Sequence, residues 1–160
     1  MGNGLSREHF YITLPSSSSS DLYPVNEANN FTNNLLDIIS LDSDYEVALV
    51  EFHLSGTIKP SDNIPINEIL VYSDICSCSN LGDKLSPILR VIPVNLLKRN
   101  SFRTHIIYNS PHYVPVASRI FSQIKIELRT ITGDFMPIEE GHCIVKLHFK
   151  KLFIFNNNLT

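Results

Sequence analysis

The clearest pattern in the chain is a strict alternation of apolar and charged residues in its C-terminal third. From Ile124 to Arg129 the order is Ile-Lys-Ile-Glu-Leu-Arg, which puts apolar side chains on one face of a strand and charges on the other. A second alternation runs from Cys143 to Lys150, with one apolar and one mostly polar face. Both segments are therefore predicted to be β-strands with one buried face.

Further strands are predicted upstream, each bounded by Gly, Pro, Asn, Asp or Ser clusters. They are Glu8–Leu14, Phe31–Leu36, Tyr45–Leu54, Glu68–Ser73, Pro87–Val94 and Thr104–Tyr108. Tyr45–Leu54 is nearly continuous in apolar residues, which is typical of a strand covered on both faces or of a sandwich core strand. The one ambiguous segment is Leu35–Leu41, whose apolar spacing also suits a helical turn.

The connections contain residues typical of turns and loops. Ser16–Ser20 is a run of five serines, which predicts a flexible surface loop. Asp42–Asp44 predicts a turn, and Thr132–Asp134 predicts a hairpin turn that joins the two alternating strands, with Gly133 at positive φ. Eight short strands with little or no helix indicate a two-sheet antiparallel sandwich, of either jelly-roll or immunoglobulin-like topology.

Length and composition favour one domain that forms part of an assembly. The chain has 160 residues, of which 43% are hydrophobic, enough for one core. We expect a single domain over residues 1–160, with a flexible N-terminal arm at about 1–7 and a frayed tail at about 155–160. The net charge of −3 gives no basic excess for nucleic acid. Only 18% of residues are charged, which predicts that some surface is covered by other subunits.

The cysteines and the apolar stretches bear on the compartment. There are three cysteines, an odd number, and Cys76 and Cys78 are too close to pair easily within one strand, so a reducing compartment is expected. The first twenty residues contain no apolar signal-peptide segment. Apolar stretches such as Ile88–Leu97 are interrupted and fall short of the roughly 20 residues of a membrane span.

The most metal-like feature is Cys76-Ser77-Cys78, which could supply two of four zinc ligands. Its spacing departs from the usual pairs two to four residues apart, so the preferred interpretation is a pair of loop cysteines with no metal and no cofactor. The downstream ligands available to such a site are His105, His112, and the neighbours His142 and Cys143.

No catalytic motif stands out, so no enzymatic activity is expected. The sequence lacks the nucleophile elbow, the P-loop, the dinucleotide-binding glycines and the zinc-protease motif. Asp134, Glu139 and Glu140 could pair for acid–base chemistry, but a charged turn between strands is usually only solvated. His148 lies on the polar face of its strand and is expected to be exposed or at an interface.

The N-terminus carries a lipidation pattern. Met1–Ser6 fits M-G-x-x-x-[ST], which makes Gly2 a candidate N-myristoylation site; the alternative is a plain flexible arm. A membrane contact is expected only if Gly2 is acylated, and a single myristoyl chain binds membranes marginally.

Several sequence blocks occur in a fixed order along the chain. Pro111–Val116 has the form P-x-Y-V-P-V, and Ile124 to Pro137 follows as I-x-I-x-L-R-x-x-T-G-x-x-x-P. The earlier blocks are Phe10–Ser17, Tyr23-Pro24, Asn30–Thr32, Tyr45–Glu51, Val71–Ile75, Gly82-Asp83 and Pro87–Val94. Together they resemble the penton-type minor capsid proteins of Polinton (Maverick) elements and adintoviruses. Tyr45 replaces that family's usual tryptophan, and Ala48 its usual glycine.

The resemblance implies an all-β, eight-stranded antiparallel single jelly roll with a structural role. It implies a homopentamer at the fivefold vertices of an icosahedral double-stranded DNA virus or Polinton-like capsid, next to a double-jelly-roll major capsid protein. The expected location is the virion and, during assembly, the host nucleus or cytoplasm. The alternative is a β-sandwich ligand- or receptor-binding module that uses the loops Ser16–Ser20 and Asp74–Asn80, with Tyr108–Tyr113 as its aromatic cluster.

Overall fold

A computed structural model describes residues 8–59, 66–94 and 101–153. The predicted arm at 1–7, with Gly2, and the predicted tail at 155–160 lie outside these residues. Regular structure in the described part is entirely β-strand. The strands are β1 (His9–Pro15), β2 (Asn30–Ser40), β3 (Tyr45–Ile58), β4 (Glu68–Ser73), β5 (Ser79–Leu81), β6 (Lys84–Ser86), β7 (Ile88–Pro93), β8 (Ser101–Ile107), β9 (Val114–Pro115), β10 (Ile120–Arg129) and β11 (Ile138–Lys151).

Eight of these strands form two antiparallel sheets. Sheet I has the order β1-β11-β3-β8, with the short β9 also paired to β3, and sheet II has the order β2-β10-β4-β7. The chain crosses between the sheets after nearly every long strand, and among the eight long strands only β4 and β7 follow each other within one sheet. This crossing pattern is that of a jelly roll, and it excludes the immunoglobulin-like alternative, in which sequential hairpins pair within a sheet.

The predicted strands and the all-β jelly-roll fold are confirmed, with three short strands added. All eight predicted segments are strands, and β5, β6 and β9 are extra elements of two or three residues. The helical alternative for Leu35–Leu41 is wrong, because β2 continues to Ser40. In this strand Leu35 and Ile39 pack against the core, whereas Leu36 and Ile38 face solvent.

The predicted hairpin between β10 and β11 is wrong, although its turn exists. Gly133 has φ 92°, as expected for this turn, and the Thr130 amide donates to the Asp134 carbonyl at 2.8 Å. The two strands nevertheless belong to different sheets, β10 between β2 and β4, and β11 between β1 and β3. After the turn, Met136 enters the core with no exposed surface, and the chain crosses from one sheet to the other.

Two serines of the run that is predicted to be a flexible surface loop form hydrogen bonds to the strands of the sandwich. Ser16 is buried; its amide donates to the Cys143 carbonyl at 2.8 Å, and its Oγ accepts from the Cys143 amide at 3.0 Å. Ser19 adopts φ 60°, and its Oγ accepts from the Asn34 amide at 3.0 Å. The turn therefore ties β11 of sheet I to β2 of sheet II.

The core lies between the two sheets, and each strand directs alternate side chains into it. Its largest fully buried members include Phe31, Phe52, Leu54, Ile69, Leu89, Ile124, Ile126 and Phe149. Burying each such side chain contributes about 1.5–3 kcal/mol. Because strand side chains alternate, the residues between these positions form the outer faces of the sandwich. On sheet I that outer face carries aromatic, basic and acidic side chains.

Candidate functional site

A groove of about 320 Å³ lies on the outer face of sheet I. It is called the outer groove here, and its lining residues are Tyr11, Val50, Glu51, Ile107, Tyr108, Asn109, Pro111, Tyr113, Lys146 and His148. Strands β1, β3, β8 and β11 supply the floor, and the 108–113 segment supplies one wall. The predicted aromatic cluster at Tyr108–Tyr113 therefore lies against sheet I.

Local backbone features hold this wall in place. The register of β3 and β11 shifts between the pairs Lys146–Glu51 and Leu147–Leu49, which leaves Val50 as an extra residue. The Val50 carbonyl accepts the amide of Tyr108 at 2.9 Å. At the other end of the wall, β9 pairs with the start of β3. The bulge thus provides the acceptor that fixes the 108–113 segment above the sheet.

His148 lies at the centre of an aromatic cluster in the outer groove. Its Nδ1 is 2.7 Å from the Tyr113 hydroxyl, and its Nε2 is 3.0 Å from His9 Nδ1. The Tyr11 ring stacks on the imidazole with 4.5 Å between centroids. A neutral imidazole satisfies both contacts if the tyrosine donates to Nδ1 and the Nε2 hydrogen is donated to His9. The predicted exposed or interface histidine is thus half-buried and engaged on both ring nitrogens.

The electrostatics of the groove favour this neutral form of His148. Burial lowers the pKa of His148, and the nearby His9 and Lys150 lower it further. Lys150 also lies 4.2 Å from the Tyr113 ring centroid and 3.3 Å from a Glu46 carboxylate oxygen. A protonated His148 would therefore lie next to other basic side chains, in a partly desolvated environment.

Lys146 is the basic residue of the groove that lacks a carboxylate partner. Its ammonium lies 5.0 Å from the centroid of the Tyr11 ring, a cation–π contact. Across residues 8–59, 66–94 and 101–153 it forms no ion pair, although its neighbour in register, Glu51, contacts His105 at 2.8 Å. The groove therefore presents the Lys146 ammonium and the Glu51 carboxylate on neighbouring strands, beside apolar Val50.

Polar groups are also buried where sheets I and II meet near the groove. The Arg90 guanidinium of β7 lies 3.5 Å from the centroid of the Tyr108 ring. Arg90 Nη1, the Tyr108 hydroxyl and His53 Nε2 are buried without a hydrogen-bond partner in the described structure. Burial raises the pKa of Tyr108, while the Arg90 charge opposes this. The stacked pair anchors the 108–113 wall to sheet II.

The residues considered for a metal site are dispersed. Cys76 is buried, its thiol donates to the Ser73 carbonyl at 3.3 Å, and burial raises its pKa to about 12. Cys78 is exposed, whereas Cys143 lies in the core with its pKa raised by burial. The described residues contain no group of three or more His, Cys, Asp or Glu side chains able to hold a metal ion.

The acidic residues considered for catalysis are also separate from one another. Asp134 closes its own turn by accepting from the Thr132 hydroxyl at 3.1 Å. Glu139 and Glu140 are exposed at the start of β11, and no hydrogen bond joins either of them to Asp134. His112 is exposed on the 108–113 segment. These positions therefore form no acid–base pair in the described structure.

Sequence reasoning missed a second surface, on sheet II. Leu36, Ile38 and Ile120 are 99%, 70% and 64% exposed and lie on β2 and the start of β10, where Ile120 pairs with Ser40. These three exposed side chains are called the edge patch here. The alternation of half-buried Leu35 and Ile39 with exposed neighbours carries the signal, but the same spacing also fits a helical turn.

No protein-family model and no curated protein matches the sequence. The fold, in contrast, is similar to the crystal structure of the mavirus penton protein, with a TM-score of 0.65 and 8% sequence identity. The match covers 90% of this chain and 100% of that one. The chain is thus similar in fold to a viral penton protein.

The described part of the chain contains no helix long and apolar enough to cross a membrane.

Proposed function

We propose that this chain is a structural penton protein of a viral or Polinton-like capsid. The observation that carries the proposal is a jelly roll whose match to the mavirus penton protein extends over that protein's whole length. The ordered sequence blocks support the same family independently of the fold. In this role the chain forms a homopentamer at a fivefold vertex of an icosahedral double-stranded DNA capsid and contacts a double-jelly-roll major capsid protein. It is located in the virion.

The surface composition supports a subunit of an assembly rather than a free monomer. Only 18% of residues are charged, and large apolar side chains such as Leu36 and Ile38 are exposed. In the outer groove, His148 is paired on both ring nitrogens, with Tyr113 and with His9. Such mutual pairing supports a packing surface better than a reaction centre, and we propose no enzymatic activity.

Light scattering on a size-exclusion column tests the oligomer directly. The proposal predicts a mass of five times the 18.1 kDa of the chain. Mixing with the matching major capsid protein, followed by electron microscopy, shows whether the chain occupies vertices of the shell. A chain that stays monomeric alone and is absent from the vertices of that shell would refute the proposal.

A second candidate is a β-sandwich ligand- or receptor-binding module. The observation that favours it is the outer groove, where Tyr11 and Tyr113 present aromatic rings beside polar groups. A monomer that binds a soluble glycan or peptide, and loses that binding in Tyr113→Ala, would support this candidate. A pentamer whose groove is inaccessible to such probes would support the capsid role instead.

A further inference from the structure

The histidines of this chain are concentrated on one sheet. Five of the six lie on strands of sheet I, namely His9, His53, His105, His142 and His148, and the four strands of sheet II contain none. Each of the five alternates with residues that face the core, as His53 does between buried Phe52 and Leu54, so their side chains lie on the outer face of the sheet. Because histidine gains its charge between about pH 8 and pH 5, acid adds positive charge to sheet I alone among the two sheets.

Two of these histidines link the edge strand β1 to its inner neighbour β11, which is its one ladder partner among the described strands. His9 Nδ1 of β1 lies 3.0 Å from His148 Nε2 of β11, so one nitrogen donates its hydrogen and the other accepts it. Once both rings are protonated, both facing nitrogens carry a hydrogen and neither can accept. The hydrogen bond is then replaced by a contact between two positive charges.

A second pair links the other edge strand, β8, to its inner neighbour β3. His53 and His105 are direct cross-strand partners, and their ring centroids are 5.3 Å apart. His53 Nε2 is buried without a hydrogen-bond partner in the described part of the chain, whereas His105 Nε2 lies 2.8 Å from a Glu51 carboxylate oxygen. That carboxylate can offset the charge of one protonated ring. Like charges directly opposite each other destabilise strand pairing, so protonation of both rings weakens the contact between β3 and β8.

The groups around the two pairs supply few negative charges. The first pair faces Tyr11 of β1, Lys146 and Lys150 of β11, Glu46 of β3, and Tyr113. Glu46 lies 3.3 Å from the Lys150 ammonium and is therefore already paired. The second pair faces Glu51 and Ser55 of β3, Arg103 and Ile107 of β8, and His142, Ile144 and Lys146 of β11. Each pair therefore has at most one carboxylate nearby to offset two protonated rings.

We infer that protonation of both rings in each pair weakens the attachment of β1 and β8 to sheet I, so that both edges of this sheet open locally in acid. Each edge strand has only seven residues, whereas β3 and β11 have fourteen each. No histidine lies opposite another histidine between β3 and β11, so this central ladder is expected to stay paired. The inference goes beyond the proposed function, because it concerns the subunit whether or not the chain occupies a capsid vertex.

Hydrogen exchange of the full chain at pH 7.5 and pH 5, followed by mass spectrometry, tests this inference. After correction for the intrinsic exchange rate, the protection of the amides in β1 and β8 should fall about fivefold or more at the lower pH. The edge strands of sheet II, β2 and β7, contain no histidine and serve as the internal control. Their protection should change by less than about twofold.

Removing one ring from a pair should remove most of its response to acid. His9→Gln and His105→Gln each replace the exposed member of a pair and leave the core intact. His9→Gln should reduce the fall at β1 to about twofold or less and leave β8 as in the wild type, and His105→Gln should do the reverse. His112→Gln removes an exposed histidine outside both pairs and should respond as the wild type. Thermal unfolding at pH 7.5 shows whether each variant is folded.

A fall in protection at β1 and β8 that each variant removes at its own edge would establish the two pairs as the acid-sensitive contacts. An equal fall in both sheets, the absence of a fall, or a fall that both variants retain would overturn the inference. Exchange is measured on the strands of a single chain, so any of these results leaves the proposed capsid role standing. A chain that proves to be no capsid protein likewise leaves this inference standing.

Discussion

At the scale of single residues, we expect His148 to make the folded chain less stable in acid. Its pKa is lowered in the folded chain by burial and then by His9 and Lys150, whereas the unfolded chain binds the proton at the ordinary pKa near 6.5. Protonation therefore favours the unfolded state. The stabilising effect of the neutral imidazole is complete above pH of about 6.5 and is lost as the pH falls from there through the folded pKa.

We expect the melting temperature of the wild type to fall more between pH 7.5 and pH 5 than that of His148→Gln. The variant lacks the titrating group, although it also loses stacking on Tyr11 and is expected to be less stable at pH 7.5. Thermal unfolding followed by circular dichroism measures both values. His112→Gln removes an exposed histidine outside the cluster and should keep the wild-type slope. Equal slopes in all three proteins would contradict this role of His148.

Gly141 is a residue whose missing side chain is required by packing. A Cβ at this position would lie 2.4 Å from the Ser55 carbonyl oxygen and 3.2 Å from the Gly56 Cα, both in the adjacent strand. Gly141→Ala should therefore separate β3 from β11 locally and cost about 1–3 kcal/mol of unfolding free energy. Urea unfolding measures this cost. Gly82→Asn is the control, because Gly82 has φ +61° with open space around it and asparagine tolerates that conformation.

At the scale of elements, Ser16 extends the pairing of β1 with β11 beyond the end of the strand. Its Oγ accepts the buried amide of Cys143, so Ser16→Ala leaves that donor without a partner and should cost about 1–3 kcal/mol. Ser17 is exposed, and Ser17→Ala should change stability by less than about 0.5 kcal/mol. Denaturant unfolding by circular dichroism compares the two, and equal effects would mean that the serine turn contributes no specific bond.

Element types were more predictable from the sequence than element partners. Alternation and turn residues locate strands such as β4 at their observed bounds, because they depend on neighbours within a few positions. The assignment of β10 and β11 to different sheets depends on the burial of Met136 between the sheets, which no local pattern encodes. Strands of two or three residues, such as β9, are too short to show a period.

The candidate surfaces were also hard to predict, because they depend on which strands pair. The polar face of β11 placed His148 correctly, but its partners His9 and Tyr113 come from segments 139 and 35 residues away in sequence. Their meeting depends on the pairing of β1 with β11 and on the bulge at Val50. The edge patch was obscured because four apolar residues spaced around Asp37 suit both a bulged strand and a helical turn.

At the scale of the whole molecule, the proposed homopentamer would link assembly to stability. A folded pentamer that dissociates on unfolding gains stability with concentration by mass action, by about 1 kcal/mol per chain for each tenfold increase. For a domain of this size we therefore expect the melting temperature to rise by about 2–4 °C per tenfold increase in protein. Differential scanning calorimetry over two decades of concentration measures this rise.

A substitution in the edge patch tests whether this surface causes the expected concentration dependence of the melting temperature. Leu36 is 99% exposed in the free subunit, so Leu36→Asp removes apolar surface without opening a cavity in the core. If the edge patch is an interface, this variant should melt at a temperature independent of concentration, equal to the low-concentration limit of the wild type. A variant that keeps the wild-type concentration dependence would place the subunit contact elsewhere on the sandwich. A wild type without any such dependence would contradict coupled folding and assembly, because no partner surface would then stabilise the jelly roll.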